Sequence, residues 1–126
     1  MRDVAAWDAS RKIVVRDIGF EQSDFDKLKG TEIVFVSSVA EAMEHAPEAG
    51  AIVGYCSADL LAAAPNLSWV QVYSAGAESC LSAAPFSSNG VVLSNMQKMS
   101  SPVIAEHAIA MLLHLTRDLS QFLDGM

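Results

Sequence analysis

Short runs of β-branched and aliphatic residues alternate with helical segments along most of this 126-residue chain. Because such strands are apolar on both faces, the alternation predicts a parallel sheet covered by helices on each side. The predicted strands are 12–16, 32–36, 51–55, 69–73 and 91–93. The predicted helices are 22–29, 39–46, 58–64, a weak segment near 79–83, and 102–123.

Serine residues stand at the predicted helix starts. Ser38, Ser57 and Ser101 precede helical patterns, and Pro102 takes the first helical position after Ser101. The element order predicts an α/β fold, a flavodoxin-like doubly wound parallel sheet of about five strands with a long C-terminal helix. We divide the chain into a domain at 1–100 and a long helix at 101–126, and the family resemblance described below implies that this is an interdomain or dimerisation helix.

Composition narrows the classes of partner. The net charge is −7 and the basic residues are scattered, so the sequence favours no nucleic-acid partner. The longest apolar run, Ala108 to Leu113, is too short to span a bilayer, and no membrane association is expected. The N-terminus lacks a signal-like core, so we expect a cytoplasmic protein. Cys56 and Cys80 are widely spaced and are expected to be reduced, buried thiols, with no metal site.

Ligands of doubly wound sheets bind beyond the carboxyl ends of the strands. Ser74-Ala75-Gly76 follows the fourth strand, where small residues allow close approach and successive amides can form an anion nest. An ordinary strand-to-helix turn is the alternative interpretation. Tyr55 and Cys56 follow the third strand as weaker candidates. Tyr55 can equally be half-buried with its hydroxyl in water, and a structural cysteine is commoner than a nucleophilic one.

Two segments carry a family resemblance, Tyr73-Ser74-Ala75-Gly76-Ala77-Glu78 and the stretch from Asn95 to Ala108. Their order and spacing resemble the substrate domain of the D-isomer-specific 2-hydroxyacid dehydrogenases. The resemblance implies that the amides of Ala75 and Gly76 bind the carboxylate of a small 2-hydroxy or 2-keto acid, with Ser74 alongside. It also implies that Tyr55 and Cys56 line the cleft. The chain departs from the family's Asn-Ala-x-Gly pattern at Met96 and Lys98.

The resemblance also implies an NAD- or NADP-dependent parent oxidoreductase. The chain has no Gly-x-Gly-x-x-Gly, and the family's catalytic histidine, arginine and acid belong to the dinucleotide-binding half. We therefore expect a truncated form with no catalytic or cofactor-binding residues, no bound cofactor and no activity of its own. Glu106-His107 resembles an acid–base pair, but we interpret it as packing or interface.

Two other classes share the predicted fold. A receiver-like signalling domain needs acids after the first strand, an acceptor Asp at the end of the third and a Lys after the fifth. Asp17 and Lys98 fit this pattern, but Gly54-Tyr55-Cys56 contains no Asp. A flavodoxin-like flavin-binding domain needs a phosphate loop rich in Ser and Thr, and Asp17-Ile18-Gly19-Phe20 has neither. A receiver-like or flavodoxin-like stand-alone domain, with a binding or signalling role, is the alternative function.

The predicted C-terminal helix is apolar on most of its surface. A helix of this kind requires burial on most sides. We therefore predict a homodimer that forms through this helix, by two-fold packing or by exchange of the helix.

Overall fold

A computed structural model describes residues 11–81 and 90–119, together with Gln121 and Gly125. Within these residues the strands form one parallel five-stranded sheet with the order β2-β1-β3-β4-β5. This confirms the predicted α/β flavodoxin-like fold. The strands are β1 Lys12–Arg16, β2 Ile33–Val36, β3 Ala49–Val53, β4 Trp69–Gln71 and β5 Val92–Ser94.

The helices of the described residues are α1 Val39–His45, α2 Ala58–Ala62, α3 Glu78–Leu81 and α4 Ser101–Thr116. Short 3₁₀ helices occupy Gln22–Phe25 and Ala46–Glu48. Two predicted caps are confirmed, since the Ser38 hydroxyl accepts from the Glu41 amide at 3.2 Å and the Ser57 hydroxyl from the Leu60 amide at 3.4 Å. Each bond satisfies one of the amides that a helix start leaves unpaired.

Several predicted boundaries are wrong. The helix expected over 22–29 is only the 3₁₀ turn Gln22–Phe25, at whose start the Glu21 amide donates to the Asp24 carboxylate at 3.0 Å. Leu28 stays 47% exposed, so it gives a longer helix no packing energy. Residues 82–89, which include the end of the weak helix predicted near 79–83, lie outside the described residues.

The long helix also starts and ends differently from the prediction. Ser101 is its first residue, and Ser100 takes the cap position without a side-chain hydrogen bond. Regular helix ends at Thr116, followed by Asp118 at φ +50°, and part of the predicted segment to 123 lies outside the described residues.

The sheet has a core on each face. On one face Val14, Ile52 and Val70 are fully buried, in a cluster with residues of α1 and α2 that include Ala42 and Leu60. On the other face a second cluster is formed by Ile13, Val15 and Ala51, with Phe25 and Phe35 packed against it. This alternation along β1 and β3 fixes the register. Val39 and Met43 of α1 are 40% and 36% exposed.

The chain divides into two compact units, 1–96 and 97–126. The first contains the sheet. The second contains α4, in which every residue is exposed. None of the helices in the described part of the chain has the length and apolarity needed to cross a membrane.

Candidate functional site

The carboxyl ends of β1, β3 and β4 lie side by side because these strands are neighbours in a parallel sheet. A cavity of about 420 Å³ opens at this edge. Residues from the three strand ends and from α3 line it: Arg16, Gly54, Cys56, Val72, Tyr73, Ser74, Ser79 and Cys80. The cavity therefore includes two of the predicted site residues, Cys56 and Ser74, and two that sequence reasoning missed, Arg16 and Tyr73.

The loop after β4 holds its carbonyl groups in internal hydrogen bonds. The Met96 amide donates to the Ser74 carbonyl at 3.1 Å, and Nδ2 of Asn95 donates to the Ala75 carbonyl at 2.7 Å. The Ser74 hydroxyl donates to the Gly76 carbonyl. The amides of Ala75 and Gly76, in contrast, donate no hydrogen bond within the described residues, and both residues are exposed. Two neighbouring N–H groups are thus left for an external acceptor.

Gly76 and Glu78 affect how well this loop can bind an anion. Gly76 does not have a positive φ. Its small size matters instead, because a Cβ at this position would overlap the Glu78 carboxylate. The negative charge of Glu78 therefore lies against the loop and opposes an anion at the Gly76 amide.

Arg16 contacts two tyrosines, Tyr55 and Tyr73, which follow β3 and β4. Its guanidinium carbon lies 5.3 Å from the centroid of the Tyr55 ring, a cation–π distance. The Tyr73 hydroxyl donates to the Arg16 carbonyl at 3.0 Å. Burial raises the pKa of the Tyr73 phenol, an effect that the positive charge of Arg16 opposes. Tyr55 itself is partly buried beside the cavity rather than among its lining residues.

Gly54 makes this close approach possible. It has φ +89°, and a Cβ there would lie 2.5 Å from the Tyr73 ring and 2.7 Å from Cβ of Arg16. Only glycine adopts this conformation readily and leaves the required space. A glycine near the end of the predicted strand 51–55 was the available sequence signal for this part of the site.

The expectation of two reduced cysteines is wrong in this structure. Cys56, after β3, and Cys80, in α3, form a disulfide with their Cα atoms 5.5 Å apart, a usual disulfide separation. Their spacing of 24 residues gave no sign of it. The pairing follows from the adjacency of β3 and β4, which brings the chain segments after them together. Cys56 therefore has no free thiol, although the residue lines the cavity.

No group of three or more His, Cys, Asp or Glu side chains within the described residues could hold a metal ion. Glu106 and His107 are exposed on α4, in the second unit.

No protein-family model matches the sequence, and no curated protein sequence does either. Solved structures do match. A D-isomer specific 2-hydroxyacid dehydrogenase family protein from Aeromonas salmonicida subsp. salmonicida has TM-score 0.65 and 21% identity, over 91% of this chain and 38% of that one. An NAD-dependent formate dehydrogenase from Staphylococcus aureus, in complex with NAD, has TM-score 0.61 and 21% identity, over 87% and 40%.

A D-lactate dehydrogenase from Aquifex aeolicus, complexed with NAD and lactic acid, has TM-score 0.61 and 20% identity, over 89% of this chain and 36% of that one. This chain thus spans about two fifths of the length of the structures it matches. At these identities the likeness establishes a shared fold.

Proposed function

We propose that this chain is the substrate-binding portion of an NAD(P)-dependent oxidoreductase acting on small D-2-hydroxy or 2-keto acids. One observation carries the proposal: the Ser74–Gly76 loop has its three carbonyls engaged and the Ala75 and Gly76 amides unengaged at the carboxyl edge of the sheet. Such a pair of donors suits a carboxylate. The fold shared with dehydrogenase structures supports the same assignment.

The turn after β1 does not fit the pyrophosphate of a dinucleotide cofactor. The turn after β1 offers the amide of Gly19, but the Asp17 carboxylate accepts a hydrogen bond from it at 2.9 Å. An acid at this amide would repel a pyrophosphate. We therefore assign cofactor binding and proton transfer to a dinucleotide-binding domain of the parent enzyme. We assign to this chain the binding and orientation of the substrate carboxylate.

Titration of the chain with pyruvate, followed by amide NMR shifts, tests the carboxylate site. The largest shifts are expected at Ala75 and Gly76. Glu78→Gln should tighten binding about two- to fivefold, because it removes a repelling charge next to the loop. Glu44→Gln, on the exposed side of α1, is the matched control and should change nothing. Shifts centred on Asp17 or Lys98 would contradict the proposal and favour a receiver-like or flavin-binding domain.

We also propose that the isolated chain has no dehydrogenase activity. Catalytic and cofactor-binding groups are assigned to the parent's other domain. NADH or NADPH oxidation that depends on both this chain and a 2-keto acid would contradict this.

A homodimer formed through α4 is part of the proposal. The apolar side chains of α4 are 51–75% exposed: Val103, Ile104, Ile109, Met111, Leu112, Leu113 and Leu115. A second copy of the helix would cover this surface. Sedimentation should give a dimer for the wild type and a monomer for Leu112→Glu/Leu113→Glu. The control Ala40→Glu/Ala62→Glu places the same charges on exposed positions of α1 and α2 and should stay dimeric. A monomeric wild type at high micromolar concentration would refute the dimer.

A cytoplasmic location stays a prediction. The Cys56–Cys80 disulfide argues against it, because disulfides persist mainly in oxidising compartments. Subcellular fractionation, with thiol alkylation at the moment of lysis, would distinguish a cytoplasmic protein with reduced cysteines from a protein of an oxidising compartment with the disulfide formed.

A further inference from the structure

A cationic residue lines the cavity beside the proposed carboxylate loop, and binding of a simple monocarboxylic acid does not use it. Among the described residues that line it, Arg16 has the one charged side chain. Arg16 forms no ion pair with any described residue. The other polar groups in the lining are the hydroxyls of Tyr73, Ser74 and Ser79.

The nearest acidic residue along the chain, Asp17, forms no ion pair with Arg16. The Asp17 carboxylate accepts from the Gly19 amide, which turns it toward its own loop. The tyrosines that touch Arg16 contribute a ring face and a hydroxyl, and neither contact is an ion pair. A guanidinium that is oriented by a ring and lacks a carboxylate partner is suited to bind an anion with its planar donors.

The cavity is also larger than a two- or three-carbon acid requires. Its volume of about 420 Å³ lies in the range of small-molecule sites. Ser74 belongs both to its lining and to the loop that offers the Ala75 and Gly76 amides. The space that contains Arg16 therefore adjoins the proposed carboxylate site.

We infer that Arg16 binds a second anionic group, so that the site selects 2-hydroxy or 2-keto acids with a carboxylate at the far end of the side chain. This inference rests on the proposed function. The first carboxylate takes the Ala75 and Gly76 amides, and the second pairs with the guanidinium of Arg16, which lines the adjoining cavity. Tyr55 and Tyr73 act as positioning residues that hold Arg16 in place.

Two ligands of equal chain length isolate the second carboxylate. 2-Oxoglutarate and 2-oxopentanoate differ in that group alone, and each is titrated into the 126-residue chain with amide NMR as the readout. 2-Oxoglutarate should bind about tenfold more tightly at low salt, and the advantage should shrink in high salt. Arg16→Gln should abolish the advantage, and Arg16→Lys should keep part of it because the charge stays but the planar donors are lost.

The control variant Lys27→Gln removes one positive charge at an exposed position outside the cavity lining and should keep the full advantage. Amide spectra of all variants establish that the sheet is intact. Equal affinities in the wild type, or an advantage that survives Arg16→Gln, would overturn the inference while Ala75 and Gly76 shifts preserve the proposed function. Absence of shifts at Ala75 and Gly76 with both ligands would overturn both.

Discussion

Strand β3 and helix α4 consist of similar apolar residues in opposite surroundings. In β3, Ala49, Ala51 and Ile52 have no exposed surface. In α4, Ile104 is 65% and Leu115 75% exposed. The strand lies at the centre of its sheet, between β1 and β4, and its two faces meet two separate clusters. The contrast shows that an apolar sequence predicts that a segment is more stable when buried. Whether it is buried depends on which neighbouring elements or molecules pack against it.

Each large aliphatic side chain left in water forgoes roughly 1.5–3 kcal/mol of burial energy. For α4 this is a substantial sum beside the net stability of a small domain. Variants in β3 and α4 can therefore distinguish residues that stabilise the sheet from residues that would be buried only in the proposed dimer.

Truncation of matched isoleucines should give the largest difference. Ile52→Ala empties a fully buried site in β3 and should lower the free energy of unfolding by about 2–5 kcal/mol. Ile109→Ala, at a side chain that is 58% exposed in α4, should cost less than about 1 kcal/mol in dilute protein. Urea unfolding followed by tryptophan fluorescence measures both. Equal costs at low concentration would show that α4 is buried in the monomer, and a cost for Ile109→Ala that grows with concentration would support the dimer.

The disulfide should stabilise the sheet unit alone. Cys56→Ala/Cys80→Ala opens a loop with a sequence separation of 24 residues and should lower stability by about 2–4 kcal/mol. The mechanism is the greater conformational freedom of the unfolded chain. Reducing agent should shift the urea midpoint of the wild type and leave the double variant unchanged, which serves as the control. A wild type that reacts with thiol reagents before any reduction would contradict the pairing.

Local sequence signals predicted the parts of the fold that depend on local chemistry. The strand Lys12–Arg16 and the caps Ser38 and Ser57 match their predictions, because β-branched runs and hydroxyl caps act over a few residues. The Cys56–Cys80 pair and the position of Arg16 beside Tyr55 and Tyr73 were missed. These contacts join segments that are distant in sequence, and they arise only once β1, β3 and β4 are adjacent.

Lys98 offers a smaller test at the start of the helical unit. It has φ +69°, and it occupies the position where the resembling family has glycine. The left-handed conformation costs a side-chain-bearing residue about 1–2 kcal/mol, which the flexibility of glycine partly offsets. Lys98→Gly should therefore stabilise this segment by roughly 0.5–1 kcal/mol. Slower amide hydrogen exchange in the first turn of α4 of Lys98→Gly than of the wild type would show this stabilisation. Lys29→Gly removes the same side chain at a turn position without positive φ and should give no such gain.

The smallest effect is a pH dependence at the edge of the sheet unit. Nζ of Lys12 lies 2.6 Å from a Glu48 carboxylate oxygen, and this hydrogen bond and the charge of Lys12 lower the pKa of Glu48 below its ordinary value of 4.5. A carboxyl group whose pKa is lower in the folded state stabilises the fold above pH 4.5, and that contribution disappears as the pH falls through the lowered pKa. Glu48→Gln should therefore reduce stability slightly at pH 7 and flatten the acid limb of the stability profile. Glu44→Gln, on α1, is the matched control. Urea midpoints measured from neutral to acidic pH test this, and an acid limb that is the same for the wild type and Glu48→Gln would exclude the ion pair as its source.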